Sequence, residues 1–495
     1  MIATHLPALQ VVIPLLAAPL CVLLRRGGLC WALTLAVSWA VLAIALALLG
    51  QVLEGGTLFY PIGDWAAPWG IEYRLDALGG LVLVIVAAIG AVVLVFARRS
   101  VAHEIPEDRV YLFYALYLLC LTGLLGIVIT GDAFNLFVFL EIFSLAAYAL
   151  VSMGRGRRAL TAAFQYLVMG TIGATFYVIG VALMYMMTGT LNMADLAARL
   201  PAVAETRTIL AALAFITVGI SLKLALFPLH LWLPNAYSYA PSMVSAFLAA
   251  TATKVAVYVL LRMFFSVFGA AYVFEAMPVR GILMTLALLA MFAASTVAIF
   301  QDDVKRMLAY SSVAQIGYIV LGIAFASVTG LTGGIVHLFN HAVTKGALFL
   351  VLGCVFLRTG SVMLDDMAGL GRRMPLTMAA FVVGGLSLIG IPFTVGFISK
   401  WYLVLAALEA GWWPVAVLVV LASMLAVVYV WRVVEVVYFR PAPAARSGAD
   451  GARDPALDML VPTWILIAAT VYFGVDSTAS TGVAGRAASL LLGAG

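Results

Sequence analysis

Four lysines, two histidines and one glutamate stand inside long apolar stretches, and a chemistry can be read from them. Of 27 basic residues only five are lysine, and Lys223, Lys254, Lys345 and Lys400 all lie within such stretches. Nearly all the arginines fall in or beside the short connections between them. The sorting has a chemical reason: a guanidinium keeps its proton in a protein, whereas a buried lysine can release one. In a bilayer interior an ionisable group costs on the order of 3 kcal/mol even on lenient insertion scales. Snorkelling would serve a lysine within a turn of the interface, but Lys254 and Lys345 have apolar sequence on both sides.

A buried cation wants a buried anion, and Glu141, in GDAFNLFVFLEIFSLAAY, is the acidic residue set deepest in an apolar stretch. A Glu141 to Lys223 ion pair is therefore expected as a gate, in which protonating the acid frees the lysine. A static bridge that fixes helix register is the plainer reading. In HLFNHAVTK, His337, His341 and Lys345 fall at i, i+4 and i+8, with Asn340 and Thr344 beside them. That puts three titratable groups on one helical face, about 6 Å apart, close enough for water to bridge. Core histidines bonded across helices are the bland alternative, and a metal site lacks an evident third ligand. Glu435 and Arg432, three apart, read as a local pair.

These groups need helices in lipid to hold them. The chain is 65% hydrophobic and 10% charged, and its apolar runs repeatedly reach the roughly 20 residues that cross a bilayer. Spans are expected near 7–24, 30–53, 75–97, 110–130, 133–153, 161–188, 208–235, 241–266, 280–300, 306–326, 331–357, 376–409, 412–439 and 457–474. The fold class is thus all-α membrane protein with about fourteen spans. Connections after odd-numbered spans carry Arg25, Arg98, Arg155, Lys305, Arg372 and Arg440 with their basic neighbours, so the positive-inside rule places both termini outside. The expected location is the plasma (inner) membrane. The Ala/Pro/Gly-rich connection from Arg440 to Asp458 is the most linker-like. Cys21, Cys30, Cys120 and Cys354 are scattered and read as packing residues, so no cofactor and no metal is expected. A net charge of +5 is explained by topology rather than by nucleic acid.

Two spans should be broken, the seventh at Pro228 and the twelfth at Pro392. Breaks five spans apart point to two inverted five-helix repeats around a midplane ion site. The resulting division is 1–109 (helices 1 to 3), 110–268 (first repeat), 279–440 (second repeat) and 441–495 (connection, last helix and tail).

Several strings, in this order, are similar to a known family: GDAFNLFVFLE, KLALFPLHLWLPNAYSYAPSMVSAFLAATATK, DDVKRMLAYSSVAQIGY, HLFNHAVTKGALF and IGIPFTVGFISKW. Together they resemble the antiporter-like membrane subunits shared by Mrp-type cation/proton antiporters, respiratory complex I and membrane-bound hydrogenases. Within that family the nearest likeness is to the D-type subunits of Mrp antiporters, GTLNMADLA at 189–197 being similar to that branch. A lysine rather than a glutamate in the twelfth span argues against one of the complex I members. The stretch of about twenty residues after the last span leaves no room for a long lateral helix.

The resemblance implies that Glu141 and Lys223 form the coupling pair, Lys254 is the central lysine, His337 and His341 are the connecting relay, and Lys400 ends the row. His230, in PLHLWLP, falls in a family motif without a clear role. The implied function is a proton-translocating subunit of a multisubunit monovalent cation (Na+ or K+)/proton antiporter, partnered by other membrane subunits and the lipid bilayer. The alternative is a proton-pumping subunit of a complex I-like or hydrogenase-type redox enzyme; in neither case does this chain supply redox ligands.

Overall fold

The computed structural model describes residues 2–441 and 453–493. Helices α1 (Leu6–Leu24) and α2 (Gly27–Gly55) lead into an antiparallel hairpin, β1 (Leu58–Pro61) with β2 (Glu72–Leu75), in which Leu58 faces Leu75. Then follow α3 (Ala77–Glu104), α4 (Val110–Ile129), α5 (Ala133–Ser152), α6 (Arg157–Thr188) and a short α7 (Met193–Arg199). After these come α8 (Arg207–Leu224), α9 (Trp232–Tyr239), α10 (Ser242–Leu261), α11 (Val279–Ile299), α12 (Val304–Phe325) and α13 (Val328–Thr359). The chain continues through α14 (Leu370–Arg373), α15 (Pro375–Ile389), α16 (Val395–Glu409), α17 (Trp413–Phe439), α18 (Leu457–Val475) and α19 (Thr478–Leu491).

Among the described residues thirteen helices are long and apolar enough to cross a membrane. The twelfth expected span is present as two half-length pieces, α15 and α16, and the seventh as α8 followed by α9, so this is a multi-pass all-α membrane fold with both breaks in place. The connection expected between Arg440 and Asp458, with Arg446, lies for the most part outside the described residues. Two elements were not legible in advance, the β1–β2 hairpin and α19, which folds back onto α13 and α3.

The prolines are not where the broken helices stop. α8 ends at Leu224, with Ala225 in the left-handed region at φ 58°, and α15 ends before Gly390 at φ 89°. Pro228 and Pro392 lie just beyond, where a proline prevents the helix from resuming. One feature of the thirteenth span also differs from expectation. Arg432 does not pair with Glu435: it reaches Asp302 at 3.2 Å, while Glu435 turns one helical turn onward to Arg440 at 3.2 Å. Each charge finds a partner that lets both heads lie at the helix end.

α10 and α13 form the interior: almost every side chain of α10 is buried, and α13 packs against α10, α12, α15, α16 and α18. At the far end of α10, Arg262 grips Asp76, the N-cap of α3, through both guanidinium nitrogens, and its Nε donates to Tyr258 Oη at 3.0 Å. Burial alone would raise the Asp76 carboxyl, but the Arg262 guanidinium, its hydrogen bonds and the Gly79 N–H outweigh this and hold it below the usual carboxylate range. Arg262→Leu should therefore lower stability by about 3–5 kcal/mol, because Asp76 stays buried without its partner. A fall in the melting temperature of the detergent-solubilised protein checks this.

Candidate functional site

The first cluster joins α5 to α8. α6 and α8 cross closely because Gly173 and Gly219 face each other: a Cβ on Gly219 would meet the Gly173 carbonyl oxygen at 2.7 Å. One turn further along α8, Lys223 Nζ donates to Ser144 Oγ at 2.8 Å and stands 3.7 Å from Glu141 Oε1. The pair expected from sequence is present, but Ser144 holds the hydrogen bond, and Glu141 Oε1 is buried without any hydrogen-bond partner. The Glu141 side chain is 27% exposed and that of Lys223 is 7% exposed, so the acid is the member that reaches the flank. A small shift of Nζ exchanges hydroxyl for carboxylate.

Lys254, midway along α10, is 1% exposed and donates to Ala249 O of its own helix. Among the described residues no carboxylate lies within 4 Å of it. Between Lys223 and α10 is a cavity of about 20 Å³, bordered by Phe143, Tyr166, Ala252 and Val255. That is room for about one water molecule. Lys254 also lies within electrostatic range of His341 and Lys345.

The second cluster is carried by α13 and the helices packed against it. Lys345 Nζ donates to Leu308 O at 2.8 Å and to Ser311 Oγ, both on α12. The rings of His337 and His341 lie 6.5 Å apart and nearly parallel. His341 is buried with neither ring nitrogen hydrogen-bonded to the protein. His337 Nδ1 is 2.8 Å from Ser399 Oγ, and its Nε2 is 3.0 Å from Gln315 Oε1. A carboxamide oxygen only accepts, so Nε2 donates to Gln315, while the single Ser399 hydroxyl proton is shared between His337 Nδ1 and the Gly396 carbonyl at 3.2 Å. Asn340 Nδ2 donates to the same Ser399 Oγ at 2.7 Å, and Thr344 meets Ser387 at 3.1 Å.

Lys400 closes the row. Its Nζ donates to Leu388 O at 2.8 Å and Ile389 O at 2.9 Å, the last carbonyls of α15, whose negative dipole end suits a cation. Nζ also lies 4.8 Å from the Tyr318 ring centroid, and that ring is 5.4 Å from His337. The two breaks are used differently. At the first, Trp232 Nε1 takes the Leu222 carbonyl at 2.9 Å; at the second, the lysine itself does so. Gly390 leaves the space for this: a Cβ there would meet Lys400 Cδ at 2.9 Å. Gly390→Ala should destabilise by about 1–3 kcal/mol through its positive φ and also slow transport by displacing Lys400. Thermal melting and vesicle flux measured on the same preparation check both.

His230 is placed apart from these groups. It is buried on the turn between α8 and α9, stacked 5.3 Å from Phe227, with its edge toward Tyr310 at 6.3 Å and Nδ1 unbonded. Sequence reasoning missed Ser144, Ser311, Gln315, Tyr318 and Ser399. A signal existed for three of them: Ser311, Gln315 and Tyr318 recur at i, i+4 and i+7 on α12, a polar stripe inside an apolar helix.

The family model for the NADH:quinone oxidoreductase/Mrp antiporter transmembrane region matches residues 130–426. The chain belongs to that family. Family members resemble it over much of its length. The N subunit of an NADH-quinone oxidoreductase from Desulforudis audaxviator is 46% identical over 95% of this chain and 96% of its own. The D subunit of an Na(+)/H(+) antiporter from Alkalihalophilus pseudofirmus is 34% identical over 74% of this chain and 73% of its own. A chain of the Mrp complex from Dietzia superposes with a TM-score of 0.89 at 28% identity, covering 99% of this chain and 98% of that one. An antiporter-like membrane subunit is thus what the chain is. The family includes proteins named for quinone reduction and for cation exchange, and both names occur among relatives of high coverage.

Proposed function

We propose that the chain is the proton-translocating subunit of a multisubunit monovalent cation (Na+ or K+)/proton antiporter, working beside other membrane subunits in the plasma membrane with both termini outside. One observation carries this reading. Lys254, His337, His341 and Lys345 sit on the two interior helices, α10 and α13, with Glu141 and Lys223 on one flank and Lys400 on the other; contacts through Gln315, Ser399 and Tyr318 join His341, His337 and Lys400, and Ser311 holds Lys345. Groups of this type, so buried, need a reason to be ionisable. In the proposed cycle, protonation of Glu141 releases Lys223 from the pair; the lysine gives up a proton toward Lys254, and the histidines pass charge on to Lys400.

We also propose two inverted repeats, 110–268 and 279–440, flanked by 1–109 and 441–495. Register supports them: α12 begins 171 residues after α5, and α13 begins 171 residues after α6, with α6 and α13 equal at 32 residues. Isolated bridges tie Asp132 to Asn192 and Asp303 to Met363, the same spacing in each half.

The second reading is a proton-pumping component powered by quinone chemistry in partner subunits, favoured by the 46% identity to a relative named for that enzyme. Reconstituting the purified complex separates them. Proton flux driven by a sodium or potassium gradient supports the first; flux that requires quinone turnover and ignores both cations supports the second.

A further inference from the structure

The groups described so far occupy the middle of the pathway, and none of them reaches the arginine-bearing face of the protein. The fifth lysine does. Lys305 stands in the first turn of α12 and is 5% exposed. A lysine with a purely topological role would keep its ammonium in headgroup water. Lys305 instead turns inward: Nζ donates to Ala240 O at 3.1 Å and lies 5.9 Å from the Phe356 ring. Among the described residues that carbonyl is its one hydrogen-bond acceptor, and no carboxylate lies within 4 Å.

Glu104, the last residue of α3, is fastened to the same turn. Its Oε2 accepts the Ser242 N–H at 2.9 Å and its Oε1 accepts Ser100 Oγ at 2.7 Å. A buried ammonium and a carboxylate are thus both tied to the main chain of residues 240–242. The other charged neighbours are Asp303, two residues back on the same chain, and Arg155, whose guanidinium also lies 5.9 Å from the Phe356 ring. On its outer side Glu104 lines a cavity of about 460 Å³ together with His103, Ser152 and Arg155. On the inner side α12 presents Lys305, Leu308 and Ser311 at i, i+3 and i+6, and the last two supply the acceptors of Lys345.

We propose that Lys305, with Glu104, is the proton-loading site through which the relay exchanges protons with the basic face. This rests on the relay reading above. Glu104 takes a proton from water in the cavity, the proton passes to the Lys305 amine, and from there it enters the relay at Lys345. Each transfer breaks one O–H or N–H bond and forms another, with no other reactant. An arginine at 305 would keep the charge and hold its proton.

The test uses the assembled complex in vesicles, with pH varied separately on each side. Lys305→Arg should cut proton translocation by about tenfold or more with assembly unchanged. Glu104→Gln, whose amide oxygen still accepts from Ser242 N–H, should slow translocation and shift its pH dependence only when pH is varied on the basic face. Lys305→Arg within about twofold of native overturns the loading site. If that variant does not assemble, Glu104→Gln decides: a native rate and pH profile overturns the proposal, and a one-sided shift supports it. Lys254→Ala is run in parallel. Its inactivity beside an active Lys305→Arg would sink the loading site alone, whereas activity in both would remove the relay on which it depends.

Discussion

Lys223→Ala is expected to reduce proton-coupled exchange to about a hundredth of the native rate or less while the protein still assembles. Two contacts vanish with the ammonium, the hydrogen bond to Ser144 and the attraction to Glu141. Neither is needed to hold α8, since the Gly173–Gly219 crossing and the Trp232 bond to Leu222 O remain. What disappears is the amine able to exchange a proton next to Glu141. Glu141→Ala should produce the same loss from the other side. Lys223→Arg separates gate from brace: the charge and the bridge are retained, but the proton is not released. Native exchange in Lys223→Arg vesicles, measured by pH-dye dequenching, would mean that the pair only sets helix register.

Lys400→Arg should be nearly as severe, with exchange reduced by about tenfold or more. Two effects combine. A guanidinium does not deprotonate, and its planar fork must fit where Gly390 already lies close to the lysine stem. Lys400→Gln gives the complementary control, an uncharged side chain that still donates toward Leu388 O and Ile389 O. If Lys400→Gln and Lys400→Arg both sustain native flux, the end of the row carries no protons. If only Lys400→Arg does, the position acts through its charge alone.

Much of this fold is legible in the sequence because the bilayer makes length a constraint: any apolar run near 20 residues must cross, and its backbone must be helical. The breaks are legible through Pro228 and through Gly390 with Pro392, although Ala225, which ends the first broken helix, announces itself poorly. Alanine in the left-handed region has no compositional signature at all. α19 escapes because it is small-residue-rich rather than apolar, and its place on α13 is decided by packing. The ionisable residues of the site are legible because charge inside an apolar run is conspicuous. Their hydroxyl and amide partners are not, since serine and glutamine are ordinary in membrane helices and only tertiary structure says that Ser144 faces Lys223 or that Gln315 faces His337. The Arg432–Glu435 expectation failed for the same reason: proximity along a helix was weighed without the competing Asp302 across the bundle.

The acceptors of Lys400 are main-chain oxygens, and this sets a limit on how that position can change. No side-chain replacement deletes a carbonyl, so random substitution at 388 or 389 leaves the ammonium its two resting oxygens. The resting place of this terminal group is then set by the path of the backbone and moves with the point at which α15 stops. Engineering aimed at this end of the molecule should alter the length of that half-helix rather than the chemistry of its residues.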